Sequence, residues 1–121
     1  FAPSNTPKLV VVAGGTLKFP THQWRPVILT ARDDNSVGST ISGSTGSPSG
    51  YYANPGISYS GASLAPAMFS NLKIRYAKLG LDISGVATAS ASHNITHSQF
   101  VSSETAVKAS SLDNSFSSSL L

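Results

Sequence analysis

Residues 71–116 repeat one short pattern three times, and this repetition limits the fold more than any other feature of the 121-residue chain. Asn71-Leu72-Lys73-Ile74-Arg75-Tyr76 runs into Leu79-Gly80-Leu81-Asp82-Ile83, and Asn94-Ile95-Thr96-His97-Ser98-Gln99-Phe100 runs into Ala106-Val107-Lys108-Ala109. Leu112-Asp113-Asn114-Ser115-Phe116 opens a third pass. Each pass starts on a brief alternating strand, turns a polar corner and carries an apolar pair onto a second short strand. Leu72, Ile95 and Leu112 stand at matching points of the three passes, and the second interval is shorter than the first. A drifting period of about 20 residues, with strands this short, predicts a coiling chain and not a stack of hairpins.

The rest of the chain reads as strands and loops. Leu9-Val10-Val11-Val12 and Val27-Ile28-Leu29-Thr30 are β-branched runs suited to strands buried on both faces. Val10 and Val27 are separated by the same interval as Ile95 and Leu112, one further coil of that size. Between them, Gly14-Gly15 turns the chain, Thr16-Leu17-Lys18-Phe19 alternates as a strand does, and Pro20 to Pro26 is a turn region. Helix signals are nearly missing: there is one Glu, Glu104, and no stretch keeps an apolar i, i+3, i+4, i+7 face. The segment 63–69 is the only candidate helical turn, and Pro66 limits it. Residues 31–56 are dense in turn formers and lack a core pattern, so they read as one loop excursion that rejoins near Gly56-Ile57. Tyr51-Tyr52 would shield its return. Changing loop length costs only about 0.6 kcal/mol per doubling, so cutting back 33–56 is expected to leave the fold intact.

Composition narrows the class. Apolar residues are 40% of the chain but charged ones only 11%, while 23 Ser and 9 Thr fill the gap. Such a surface stays soluble through hydroxyls, as in many secreted β proteins. The recurring clusters of Val, Ile, Leu, Phe and Tyr argue against disorder. With no Cys, disulfides and thiolate metal sites are excluded. The net charge of +3 comes from eight scattered cations, never three together, and nucleic-acid binding needs a cluster or stripe. No apolar run is long enough to cross a bilayer as a helix. The chain opens on Phe1 without an initiator Met, which suits a processed product or a section of something longer.

Pro26-Val27-Ile28-Leu29-Thr30-Ala31-Arg32-Asp33-Asp34-Asn35-Ser36-Val37-Gly38, a polar loop, and then Leu72-Lys73-Ile74-Arg75-Tyr76-Ala77 with Gly80-Leu81 resembles the secreted right-handed parallel β-helix repeat proteins of bacteria. In those, a PVxFTSxxDDSxGG strand-and-loop precedes an IRYA…G(I/L) coil. The likeness runs from about Leu9 to Phe116. It implies the fold and a secreted character, and it transfers no activity, because the family is functionally mixed. Relatives continue the acidic loop with further Asp and Asn and a Gly-Asp-Trp-Gly; here 38–50 holds no acid and 51–56 replaces the Trp.

Candidate constellations are sparse. Asp33 and Asp34 could contribute to a Ca²⁺ site, but that ion takes six to eight oxygens and the downstream acids are missing. The competing reading is a solvated turn in which Asp34 caps backbone amides. His93 and His97 stand four apart, which pairs ligands on a helix but not in a strand and corner. His97 aligns instead with Asn114 as a corner-stacking pair. Asp82, Glu104 and Asp113 are too few and too dispersed for glycoside chemistry. Lys73, Arg75 and Lys78, with Tyr76 among them, read as a solvated outward face. Asn94-Ile95-Thr96 matches a glycosylation sequon by chance, on an expected strand. No catalytic, cofactor or metal residue is nominated.

The expectation is therefore an all-β chain: a right-handed parallel β-helix (β-solenoid) of about five coils, stacked at about 4.8 Å, with a loop excursion over about 31–56. Residues 1–121 form a single segment. Ile74, Leu81, Ile83, Ile95, Phe100, Val107, Leu112 and Phe116 should point inward, with Val10, Val12, Val27 and Leu29 continuing the core. No cap is legible at either end. Two functions suit such a chain. The first is an extracellular or cell-surface structural or adhesive element, self-associating end to end into a filament or flanked by further coils. The second is a carbohydrate-active β-helix, a polysaccharide lyase or hydrolase or a glycan-binding module, with its catalytic residues outside this stretch. Missing acids weigh against an enzyme. Exposed aromatics on one face would favour the second class, and Trp24, Tyr51, Tyr52, Tyr59 and Tyr76 are the candidates.

Overall fold

The computed structural model describes residues 1–12, 15, 17–22, 24–60, 68–84, 92–110 and 115–120, with backbone only at 92 and 115–120. Nine strands carry the described fold: β1 (Leu9–Val11), β2 (Val27–Leu29), β3 (Ile57–Ser60), β4 (Met68–Ser70), β5 (Leu72–Arg75), β6 (Leu79–Ser84), β7 (Ser92–Val101), β8 (Thr105–Ser110) and β9 (Ser115–Leu120). No helix occurs among the described residues. One sheet has the order β1-β3-β6-β8; the other has β2-β5-β7-β4, with β9 also on β7. Every strand pair among the described residues is parallel.

The five-coil right-handed β-helix expected from the repeats is corrected by this topology: what forms is two small parallel sheets of four and five strands. The partners also differ from those the repeat spacing implied. Val10 and Val27 lie in different sheets, Leu72 pairs with Val27, and Ile95 pairs with Phe69. Met68 pairs with Asn94, Arg75 with Val101 and Ser84 with Ser110, so 68–84 lies against 94–110 at one constant offset. Leu112 and Asn114 lie outside the described residues.

Two glycines make the close stacking possible. Gly56 and Gly80 each precede a paired residue, Ile57 and Leu81. A Cβ at Gly56 would stand 2.9 Å from the Gly80 carbonyl oxygen, and one at Gly80 would stand 2.6 Å from the Ala106 oxygen and 2.5 Å from Phe100 Cδ1. No side chain fits at either place.

The corners are made differently. Asn71, Tyr76, His97 and Ser102 all have φ between 50° and 58°. Asn and His tolerate this left-handed region better than most residues, whereas for Tyr it is unusual. Asn71 separates β4 from β5, and its amide hydrogen bonds to the Thr96 carbonyl, just before His97. His97 thus sits over Asn71, while Ser102 follows Val101, whose carbonyl accepts from the Tyr76 amide. Beside the Asn71–His97 corner the buried Ser98 hydroxyl accepts from the Leu72 amide and lies 3.0 Å from the Thr96 carbonyl and 3.3 Å from that of Phe69. It satisfies backbone groups where the ladder breaks.

Alternation along the strands fills the space between the sheets. Ile57, Tyr59, Leu81 and Ile83 meet Phe69, Leu72, Ile74 and Ile95, all buried. Each such side chain contributes about 1.5–3 kcal/mol through lost water contact. Tyr59 stands edge-on to both Phe69 and His93, with ring centroids 5.7 Å apart in each case. Phe100, Val107, Val27 and Leu29 pack on this core from its margins. Val10 and Val12 are corrections: they are 53% and 61% exposed, and Val11 between them is the buried one. A strand's side chains alternate, and Val11 pairs with inward-facing Tyr59. The Phe116 side chain lies outside the described residues.

Candidate functional site

The densest polar cluster lies where β2 and β5 end side by side. Leu29 pairs with Ile74, so Thr30 leaves β2 beside Arg75, which is the last residue of β5 and is itself paired with Val101. The chain after Thr30 turns tightly, with the Asp34 amide donating to the Ala31 carbonyl, and both carboxylates fold back beneath the loop. Asp33 and Asp34 are buried, not solvated.

Each carboxylate oxygen is occupied. Asp34 Oδ2 accepts from the Thr30 hydroxyl at 2.6 Å and lies 2.7 Å from Arg75 Nη1. Its Oδ1 accepts from the Ser36 amide at 3.1 Å and the Ser36 hydroxyl at 2.5 Å. Arg75 Nη1 also donates to that hydroxyl at 2.8 Å, and the guanidinium carbon lies 5.3 Å from the Tyr76 ring centroid. Asp33 Oδ2 accepts from the Tyr52 hydroxyl at 2.7 Å, and Oδ1 from the Thr45 amide at 2.8 Å. Arg32 Nε lies 3.9 Å from Asp33 Oδ1.

The electrostatics follow from these partners. For Asp33, the hydrogen bonds from Tyr52 and Thr45 outweigh burial and hold the carboxyl below its usual value of 3.8. For Asp34, burial pushes upward, but the bonds from Ser36 and Thr30 together with the Arg75 charge lower it overall. Tyr52 is pushed above 10.0, chiefly because its proton is held by Asp33. Ionised carboxylates with this many donors are stabilised as charges. Chemically the cluster is a clamp: it ties 30–52 to the end of β5, and its oxygens are already engaged by protein donors.

This changes the sequence reading in three places. Arg75 does not stand on a solvated face with Lys73 and Lys78, since its side chain is 17% exposed and ion-paired. Asp34 does cap the Ser36 amide, but within a buried network. The 31–56 segment also does not lack core residues, because Ala31, Asp33, Asp34, Tyr52 and Ala53 are all buried. The signal available in the sequence was weak: a Thr, two Asp and a Ser close together between Thr30 and Ser36, with the cation far along the chain at Arg75.

The remaining candidates do not converge. His93 is buried beside Tyr59, where burial lowers its pKa, while His97 is exposed at a corner. Asp82 stands in register with Ser58 and Lys108, one carboxylate oxygen buried without a hydrogen bond. Glu104 is exposed, and Asp113 lies outside the described residues. No three His, Asp or Glu side chains come together among the described residues. No helix there is long and apolar enough to cross a membrane. Of the aromatic candidates, Tyr52 and Tyr59 are buried, Tyr76 is half-buried, and Trp24 and Tyr51 are exposed. No protein-family model matches the chain, and no curated protein or solved structure matches it either.

Proposed function

We propose that the protein is a structural or adhesive element of an extracellular or cell-surface assembly, joining copies end to end through the open edges of its two sheets. The observation that carries this reading is the pairing pattern. Both sheets start at one end with a three-residue strand, β1 or β2, and among the described residues no strand pairs with the far side of β8 at the other. These strands run parallel, so β8 of one copy matches the direction of β1 in the next. An unpaired edge is a template for another chain, and a head-to-tail contact that does not close gives a filament.

Apolar side chains support the same surface. Leu9, Val10, Val12 and Ile28, on or beside β1 and β2, are all exposed. The hydroxyl-rich, weakly charged surface suits a secreted protein more than one that steers charged partners. Sedimentation of the full chain across a concentration series tests the reading. Assemblies are expected at micromolar concentration, and Val10→Lys with Ile28→Lys should dissolve them without changing the circular dichroism. A wild-type chain that stays monomeric and melts sharply at that concentration refutes it. Carbohydrate recognition is favoured by a separate observation, the exposed Trp24, which belongs to one surface turn.

A further inference from the structure

The turn before β2 forms a cleft of about 310 Å³ lined by Pro20, Thr21, His22, Arg25 and Pro26. That volume is at the small end for ligand sites, enough for a single ring. The turn is held from several sides. The Thr21 amide donates to the Phe19 carbonyl, the Arg25 amide to the His22 carbonyl, and the Asn71 side chain to the Thr21 carbonyl. Asn71 is itself fixed at the β4–β5 corner, so the cleft is anchored to the core.

Its chemistry is one-sided. No acidic residue lines it, and Arg25 makes no ion pair among the described residues. The Trp24 amide donates to His22 Nδ1 at 3.3 Å, which leaves Nε2 as the proton-bearing nitrogen and a donor. The Thr21 hydroxyl is buried with no hydrogen-bond partner. Trp24, on the same turn between His22 and Arg25, is 81% exposed. The cleft lining supplies a planar guanidinium and two further polar groups, and an exposed indole stands on the same turn outside that lining. These groups match a carboxylate for Arg25, hydroxyls for His22 and Thr21, and an apolar ring face for Trp24.

We infer that this turn is a binding site for an acidic sugar residue, with Arg25 taking the carboxylate and Trp24 stacking on the ring. The inference deepens the carbohydrate reading of the Trp24 turn and does not depend on the assembly reading, because none of these residues belongs to a sheet edge.

Trp24 is the chain's one tryptophan, so its emission reports on this turn alone. Titrating the full chain with sodium glucuronate should give a saturable emission change in the millimolar range. Methyl glucoside, which lacks the charge, should bind about tenfold more weakly, the scale of one lost charge-assisted contact. Arg25→Ala should lose the same factor and the preference for the acid, while Arg25→Lys keeps the charge and recovers part of it. The Val10→Lys, Ile28→Lys chain should bind like wild type, which separates failure of this site from failure of assembly. Three results overturn the inference: no saturable change with glucuronate, wild-type affinity in Arg25→Ala, or an equal response to inorganic phosphate, which would mark an anion site without sugar recognition.

Discussion

Replacing Arg75 with Met removes the guanidinium but keeps most of the apolar stem. Asp34 is then left buried without its ion partner, since Nη1 stood 2.7 Å from Oδ2 and the two side chains are 17% and 4% exposed. Breaking a buried pair costs about 3–5 kcal/mol, against less than about 1 kcal/mol for a surface pair. Asp34 retains Thr30 and both Ser36 donors, which places the loss at the lower end, about 3 kcal/mol. For a domain of this size that lowers Tm by roughly 10 °C. Denaturant unfolding at neutral pH measures it directly. The pH dependence gives an independent reading. Asp34 is depressed below 3.8 in the folded chain, so its contribution is present above that value and is lost as pH falls through the folded pKa. Without Arg75 the folded value moves back toward 3.8, so less stability is lost on acidification and the loss is complete at a higher pH than in wild type, with its onset unchanged. Asp34→Asn added to Arg75→Met should recover part of the loss, because the stranded charge is gone. A cost below about 1 kcal/mol with an unchanged pH profile would show that Arg75 is a solvated cation and that the clamp is unimportant.

Gly80→Ala should destabilise by about 1–3 kcal/mol, read from the denaturation midpoint, because the added methyl meets a backbone oxygen and the Phe100 ring; a neutral result would mean the stacked strands can separate cheaply. Tyr52→Phe removes the largest influence lowering Asp33, so its carboxyl resonance should titrate closer to 3.8, and an unmoved titration would refute that bond's role. Deleting 38–43, which is exposed throughout, should leave the melting curve nearly unchanged, whereas deleting 33–56 should abolish cooperative unfolding because it takes Asp33, Asp34, Tyr52 and Ala53 with it. Cooperative melting of the larger deletion would return the loop to the status of an appendage.

The sequence by itself determined that the chain is built of strands and marked much of the core. It also read a strand at 16–19, where 17–19 form none, and a candidate helical turn over 63–69, where Met68 and Phe69 belong to β4. β-branched runs and period-2 alternation place strands at 9–12, 27–30, 71–76 and 79–83, close to the Leu9–Val11, Val27–Leu29, Leu72–Arg75 and Leu79–Ser84 that form, and they mark Ile74, Leu81, Ile83 and Ile95 as inward. It also marked Trp24 and the 20–26 turn, though not as a cleft. Pairing was decided only by the tertiary structure. A strand of three or four residues fits several registers almost equally well, and a shift of one residue exchanges its faces, as Val10 and Val11 demonstrate. The constant offset between 68–84 and 94–110 is set by corners at Asn71, Tyr76, His97 and Ser102, four different side chains in one backbone conformation and none of them glycine. Such corners have no compositional signature. The clamp was hidden for the same reason: Asp34 meets Arg75 only because Leu29 pairs with Ile74, and that neighbourhood exists only once the sheet has formed.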